Sequence, residues 1–194
     1  MTTCLWWPEG QWHRIRPEEI QQVPWKNGAG LTRTLWHQGD ESHYLRISLA
    51  DITGNSGFSR FENTQRCLAL VQGELTLSIN GVGRQVKTGD WLHFSGEDLV
   101  DASQLKHPHC KALNLMVPFG TGRFQLQRVS LDAGRSLGLN AGPDQGLFCI
   151  SGGGVLIHQN LELKAGEMAL GGGDALKATS PSVWLHWRLM PVVI

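Results

Sequence analysis

The chain lacks an excess of either charge: 17 basic residues face 17 acidic ones, and the formal net charge is zero. Nothing in that total draws it to nucleic acid or an anionic membrane, so the expected partner is a small molecule, uncharged or meeting charge only locally. Charged residues are scarce, at 18% of the sequence, and an apolar period of 3.6 is almost missing, which excludes long surface helices. One short segment, Arg16-Pro17-Glu18-Glu19-Ile20, has the early proline and following acids of a single helical turn. The cysteines, Cys4, Cys67, Cys110 and Cys149, never fall in a C-x-x-C spacing. Neither a zinc knuckle nor a redox motif is expected, and the thiols read as buried groups in a reducing cytosol. No long hydrophobic run occurs, and residues 1–10 carry no basic leader. A cytoplasmic protein with no export signal and no membrane span is therefore expected. Also missing are G-x-S-x-G, a P-loop and any G-x-G-x-x-G that opens a helix.

What the sequence does have is glycine, 24 residues of 194, spread among short alternating segments. At this length about 70% of the extended surface is buried on folding, enough to dispense with a disulfide or structural metal. Residues 44–50 alternate Leu45, Ile47 and Leu49 against Arg46, Ser48 and Ala50, and 66–71 alternate Arg66, Leu68 and Leu70 against the rest. Asn80-Gly81, between 75–79 and a run from Val82, is the signature of a type I′ hairpin. The class expected is all-β.

The chain also repeats itself at an offset of roughly 75 to 80 residues. Leu70-Val71-Gln72-Gly73-Glu74-Leu75, followed by Lys87-Thr88-Gly89-Asp90, resembles Ile150-Ser151-Gly152-Gly153-Gly154-Val155, followed by Lys164-Ala165-Gly166-Glu167. Duplicated strand, glycine turn and hairpin describe two small β-barrels packed as one unit, a cupin-like bicupin, because closing each sheet removes its exposed edges. The division expected is an N-terminal lobe, 1–119, with the ligand pocket, and a reduced C-terminal copy, 120–194.

The densest local signal is Pro24-Trp25-Lys26-Asn27-Gly28-Ala29-Gly30-Leu31-Thr32-Arg33. Proline sets an extended entry and the glycines permit a tight turn, so the loop displays Trp25, Lys26 and Asn27. Two readings stand at this point: a rigid corner whose tryptophan plugs a barrel end, or a ligand loop in which Lys26 and Asn27 grip a carboxylate or amide. If the faces bearing Arg46, Ser48, Arg66 and Asn114 line one barrel, two guanidinium forks and an amide converge on a small carboxylate.

The run Pro24 to Arg33, followed by Arg46, Ser48 and Ala50 on a strand, is similar to the opening of the HutD family. Phe58-Ser59 with Phe61, then Arg66, Gly73, Phe94-Ser95-Gly96 and Ala112-Leu113-Asn114-Leu115-Met116 extend the resemblance to about Met116. Thr34 stands where an acidic residue is common in the family, and the turn reads Gly96-Glu97-Asp98, which leaves Thr34 and Glu97 outside the expected contacts. The resemblance implies a non-catalytic bicupin of histidine utilisation that senses an intermediate such as N-formimino-glutamate or urocanate and needs no cofactor. Its implied ligand residues are Trp25, Lys26, Asn27, Arg46, Ser48, Phe61, Arg66 and Asn114. A homodimer is compatible with this reading.

The rival is a metal-dependent cupin enzyme acting on a small carbonyl or imidazole compound. Its ligands would be His107 and His109, which share a face if the segment is a strand. Pro108 between them and the want of a following glutamate argue against that site.

Overall fold

The structure, a computed structural model, describes residues 11–40, 44–106, 109–139 and 144–191. Among these the short alternating segments form β1 (His13–Ile15), β2 (Val23–Pro24), β3 (Gly30–Gly39), β4 (Tyr44–Ile52), β5 (Ser56–Gly57), β6 (Thr64–Gln72), β7 (Glu74–Ile79), β8 (Val82–Lys87), β9 (Trp91–Ser95) and β10 (Val100–Ser103). They continue as β11 (Cys110–Pro118), β12 (Gly122–Leu131), β13 (Ser136–Leu139), β14 (Gln145–Ser151), β15 (Gly153–Leu156), β16 (Leu161–Lys164), β17 (Met168–Gly171), β18 (Asp174–Ala178) and β19 (Ser182–Pro191). The helical turn expected near residues 16–20 is a 3-10 turn, Pro17–Glu19. No helix among the described residues is long and apolar enough to cross a membrane.

Two compact units result. One is Ile20–Arg123, to which Pro191 is attached; the other joins the described residues up to Glu19 to Phe124–Met190. The division therefore falls after Arg123 rather than at 119/120, and the first segment goes with the later unit, not with the N-terminal lobe. The cause is β1, which pairs antiparallel with β17, His13 opposite Leu170 and Ile15 opposite Met168. A three-residue strand carries no sequence signal of so distant a partner.

The Ile20–Arg123 unit consists of a sheet ordered β2-β3-β4-β11-β6-β9 and a second ordered β5-β10-β7-β8. The alternation read from sequence determines its core: Ala50, Ile52, Leu68, Leu70, Leu75, Leu77, Val86 and Ala112 cluster out of water, each large side chain contributing roughly 2 kcal/mol. Asn80 and Gly81 take φ of 50° and 82°, as the I′ turn between β7 and β8 requires.

The other unit has sheets ordered β1-β17-β14-β19-β12 and β13-β18-β15-β16, around Trp12, Leu147, Cys149, Leu156, Leu163, Leu176 and Trp184. The sequence repeat is visible as repeated hydrogen bonds. Leu70 N donates to Asp90 O at 2.9 Å and Gly89 N to Leu70 O at 2.7 Å; Cys149 N donates to Glu167 O at 3.0 Å and Gly166 N to Cys149 O at 2.8 Å. Thr88 N donates to Gly73 O at 3.0 Å, and Ala165 N to Gly152 O at 3.1 Å. Gly73 thus corresponds to Gly152, one residue before the match read from sequence, because three consecutive glycines leave open which one makes the turn. At Gly73, φ is 93° and a Cβ would lie 2.6 Å from Cys110 Sγ, so this turn requires glycine.

Trp184 and Trp187 are fully buried, whereas Trp36 and Trp91 are half-buried. Cys67, Cys110 and Cys149 are buried; Cys4 lies outside the described residues. Burial drives the Cys67 thiol pKa upward and Cys149 up to about 12, so neither is a thiolate at neutral pH.

Candidate functional site

Register across three neighbouring strands assembles the polar end of the Ile20–Arg123 unit. Met116 on β11 stands opposite Arg46 on β4 and Arg66 on β6, while Asn114 stands opposite Ser48 and Leu68. Deeper rows turn apolar, Ala112 between Ala50 and Leu70. Two arginines thus flank one methionine, roughly 10 Å apart at their Cα atoms for two interstrand spacings. They face a cavity of about 420 Å³ lined by Trp25, Lys26, Asn27, Arg46, Ser48, Phe61, Arg66 and Asn114 together with Val23, Pro24, Thr32, Thr34, Ala50, Gly57, Phe58, Ser59 and Met116.

Arg66 is the centre of it. Its side chain is 6% exposed as a residue, donates through Nη1 to Ser59 O at 3.1 Å and through Nη2 to Asn114 Oδ1 at 3.0 Å. Its Cζ lies 5.8, 5.3 and 4.9 Å from the ring centres of Phe58, Phe61 and Phe94, within cation–π range. Nε is buried with no partner, and no carboxylate among the described residues pairs with this guanidinium. Desolvation lowers its pKa to about 10, the positive field of Arg46 adding to the effect. Arg46 donates to Thr34 Oγ1 at 3.3 Å and lies over Phe61 at 5.9 Å. With Lys26 exposed at the rim, the lining carries three cations and neither Asp nor Glu.

The loop of Trp25 to Gly30 closes one wall. Trp25 N donates to Gly30 O at 2.9 Å and Gly28 N to Trp25 O at 3.0 Å. The indole donates to Thr32 Oγ1 at 2.7 Å and meets Phe58 edge-on, ring centres 5.6 Å apart. Asn27 spends both ends of its amide internally, Nδ2 donating to Ser56 Oγ at 2.6 Å and Oδ1 accepting from Ala29 N at 3.1 Å. It therefore braces the loop against β5, whereas Lys26 beside it makes no ion pair among the described residues. Gly30 is required for space: a Cβ there would lie 2.5 Å from Asp51 O and 3.0 Å from the Trp25 ring.

All eight residues named from the sequence meet at this cavity. Thr34, which the sequence reading left out of the contacts, lines it, since it stands opposite Ser48 on the same sheet face. Glu97 does not; its carboxylate accepts from Asn63 N at 3.1 Å and braces a turn. Thr32, Phe58 and Ser59 were missed, although the period of two on β3 would have paired Thr32 with Thr34. Of the rival metal ligands, His109 is exposed just before β11 and His107 lies outside the described residues. No group of three His, Cys, Asp or Glu among the described residues is placed to hold a metal. The cavity itself offers guanidinium, ammonium, amide and hydroxyl groups, a donor set that does not suit a divalent cation.

A model of the HutD family matches residues 17–189 of this chain. The chain belongs to the HutD family. It is 33% identical over 96 residues, 47% of its length and 50% of the relative's, to an uncharacterized 21.2 kDa protein in the hutC 3′ region of Pseudomonas putida. It is 30% identical over 105 residues, 50% of its length and 55% of the relative's, to Protein Ves of Citrobacter koseri. The aligned stretch thus spans about half the length of these curated relatives. Among solved structures, HutD from Pseudomonas fluorescens superposes with a TM-score of 0.74 at 20% identity, covering 92% of this chain and 99% of that one. The bacterial pirin YhhW of Escherichia coli, solved in complex with nickel(II), superposes with a TM-score of 0.65 at 10% identity over 94% of this chain and 100% of its own. These likenesses show the cupin-like all-β fold that the repeat led us to expect.

Proposed function

We propose that the chain is a cytoplasmic, non-catalytic binding protein of histidine utilisation. Its Ile20–Arg123 cavity would hold a carboxylate-bearing intermediate of that pathway, with N-formimino-glutamate and urocanate as the candidates. One observation carries the reading: among the described residues three cations and no carboxylate line the cavity, and the most buried of these cations, Arg66, has no counter-charge. In a molecule whose total charge is zero, a local excess of this kind favours a small anion. Arg66 and Arg46, one interstrand row apart from a shared methionine, suit the two ends of a short dicarboxylate, each guanidinium taking one carboxylate through paired N–H groups. Trp25, Phe58 and Phe61 supply the apolar walls around its stem.

Calorimetric titration of metal-stripped protein with N-formimino-glutamate, urocanate, histidine and glutamate tests this. Saturable binding of one of them at a single site, lost in Arg66→Ala, is the expected outcome. Absence of binding by all four, or parent-like binding by the variant, sinks the proposal.

A further inference from the structure

The unit containing Phe124–Met190 repeats the polar corner of the cavity with different chemistry. The hydrogen bonds shared by the two halves match Leu70 with Cys149 and Gly73 with Gly152, and counting back along β6 and β14 places Gln145 where Arg66 stands and Leu147 where Leu68 stands. On β11, Asn114 is opposite Leu68 and Met116 opposite Arg66; on β19, His186 is opposite Leu147 and Arg188 opposite Gln145. Gln145, His186 and Arg188 therefore occupy the positions of Arg66, Asn114 and Met116. The diagonal contact is repeated as well: Arg66 Nη2 reaches Asn114 Oδ1 at 3.0 Å, and His186 Nε2 lies 3.0 Å from Gln145 Oε1.

Three further features fit a binding corner. Gln145 is 1% exposed while His186 and Arg188 are half-buried, so the cluster grades from interior to solvent. Arg188 makes no ion pair among the described residues. Gly171, the ladder partner of Gln145, lies against Trp12, whose ring would be 3.0 Å from a Cβ there; Trp12 is 5% exposed and its indole N–H has no partner. Burial, reinforced by Arg188, lowers the His186 pKa to about 4, so the ring is neutral at pH 7. In the tautomer that donates to Gln145 Oε1, its Nδ1 keeps a lone pair. The corner thus holds one cation, where the other unit's cavity holds three.

We propose that Gln145, His186 and Arg188, with Trp12 beside them, form a second small-molecule site that takes a monocarboxylate rather than a dianion. The duplicated register carries this assignment, and it stands whatever the other cavity binds.

The test is a titration with sodium acetate at constant ionic strength, read by the ring nitrogen resonances of His186 in the parent and in Arg66→Ala, which disables the other cavity. A saturable shift in both is expected, at least tenfold weaker in Arg188→Ala and partly restored in Arg188→Lys, which retains the charge if the alanine variant is poorly folded. No shift, an equal shift with chloride, or unchanged binding in both Arg188 variants overturns the proposal.

Discussion

Arg66 is a cation taken out of water with no anion among the described residues to receive it, and its replacement separates stability from binding. In Arg66→Met, ligand affinity is expected to fall by about 100-fold or more, the usual consequence of truncating a buried hydrogen-bonded charge. Global stability should change by less than about 1 kcal/mol, because the desolvation cost of the charge disappears together with its two hydrogen bonds. Urea denaturation and calorimetry on the same preparation measure both effects. Arg66→Lys keeps the charge but cannot span Ser59 O and Asn114 Oδ1 together, so its affinity should lie between parent and methionine. His186 permits a pH prediction at the same scale. Its folded pKa of about 4 lies below the unfolded value near 6.5, so between these values the unfolded chain binds the extra proton. Its contribution is complete above pH 6.5, declines as pH falls toward 4 and is absent below that. His186→Gln should flatten this limb of the stability profile, as denaturation midpoints at pH 4.5 and 7 would show.

At the scale of elements, the ligand wall depends on how tightly the Trp25 loop meets β4. In Gly30→Ala the new Cβ would collide with Asp51 O and the Trp25 ring, so the loop shifts while the sheets persist. Ligand affinity is expected to drop about tenfold or more, in keeping with the sensitivity of bound geometry to small displacements, with strand amide shifts retained by NMR. The strands that position the cavity were legible because their alternation is local: Arg46 and Ser48 against Leu45, Ile47 and Leu49, or Arg66 against Cys67. That the two arginines flank Met116 was not legible, since register between strands far apart in sequence leaves no local trace. Nor was the bracing role of Asn27, whose partner Ser56 sits on a two-residue strand with no pattern of its own. The corner of Gln145 and His186 was hidden for a related reason: the repeat preserves the positions and changes every residue type, so a search for the same side chains finds nothing there.

Across the whole molecule, a neutral total conceals a cavity of one sign. Binding of a dianion should therefore weaken as sodium chloride rises from 50 to 500 mM, roughly tenfold if two charges are screened over the short distances involved. A cavity governed by apolar contact alone would hold its affinity across that range, or gain. Cys67 and Cys149 are buried thiols, so neither should react with a thiol reagent in the native protein and both should do so in denaturant.

The pairing of β1 with β17 also bears on the order in which the molecule can be made. His13 meets its partner Leu170 only after the intervening chain has been synthesised, which at ~5–20 residues per second takes on the order of 10 to 30 s. The Ile20–Arg123 unit, whose strands pair within its own span, meets no such delay. The β1 residues are thus made well before their partner, and the nascent chain must keep an unpaired strand in solution until β17 arrives.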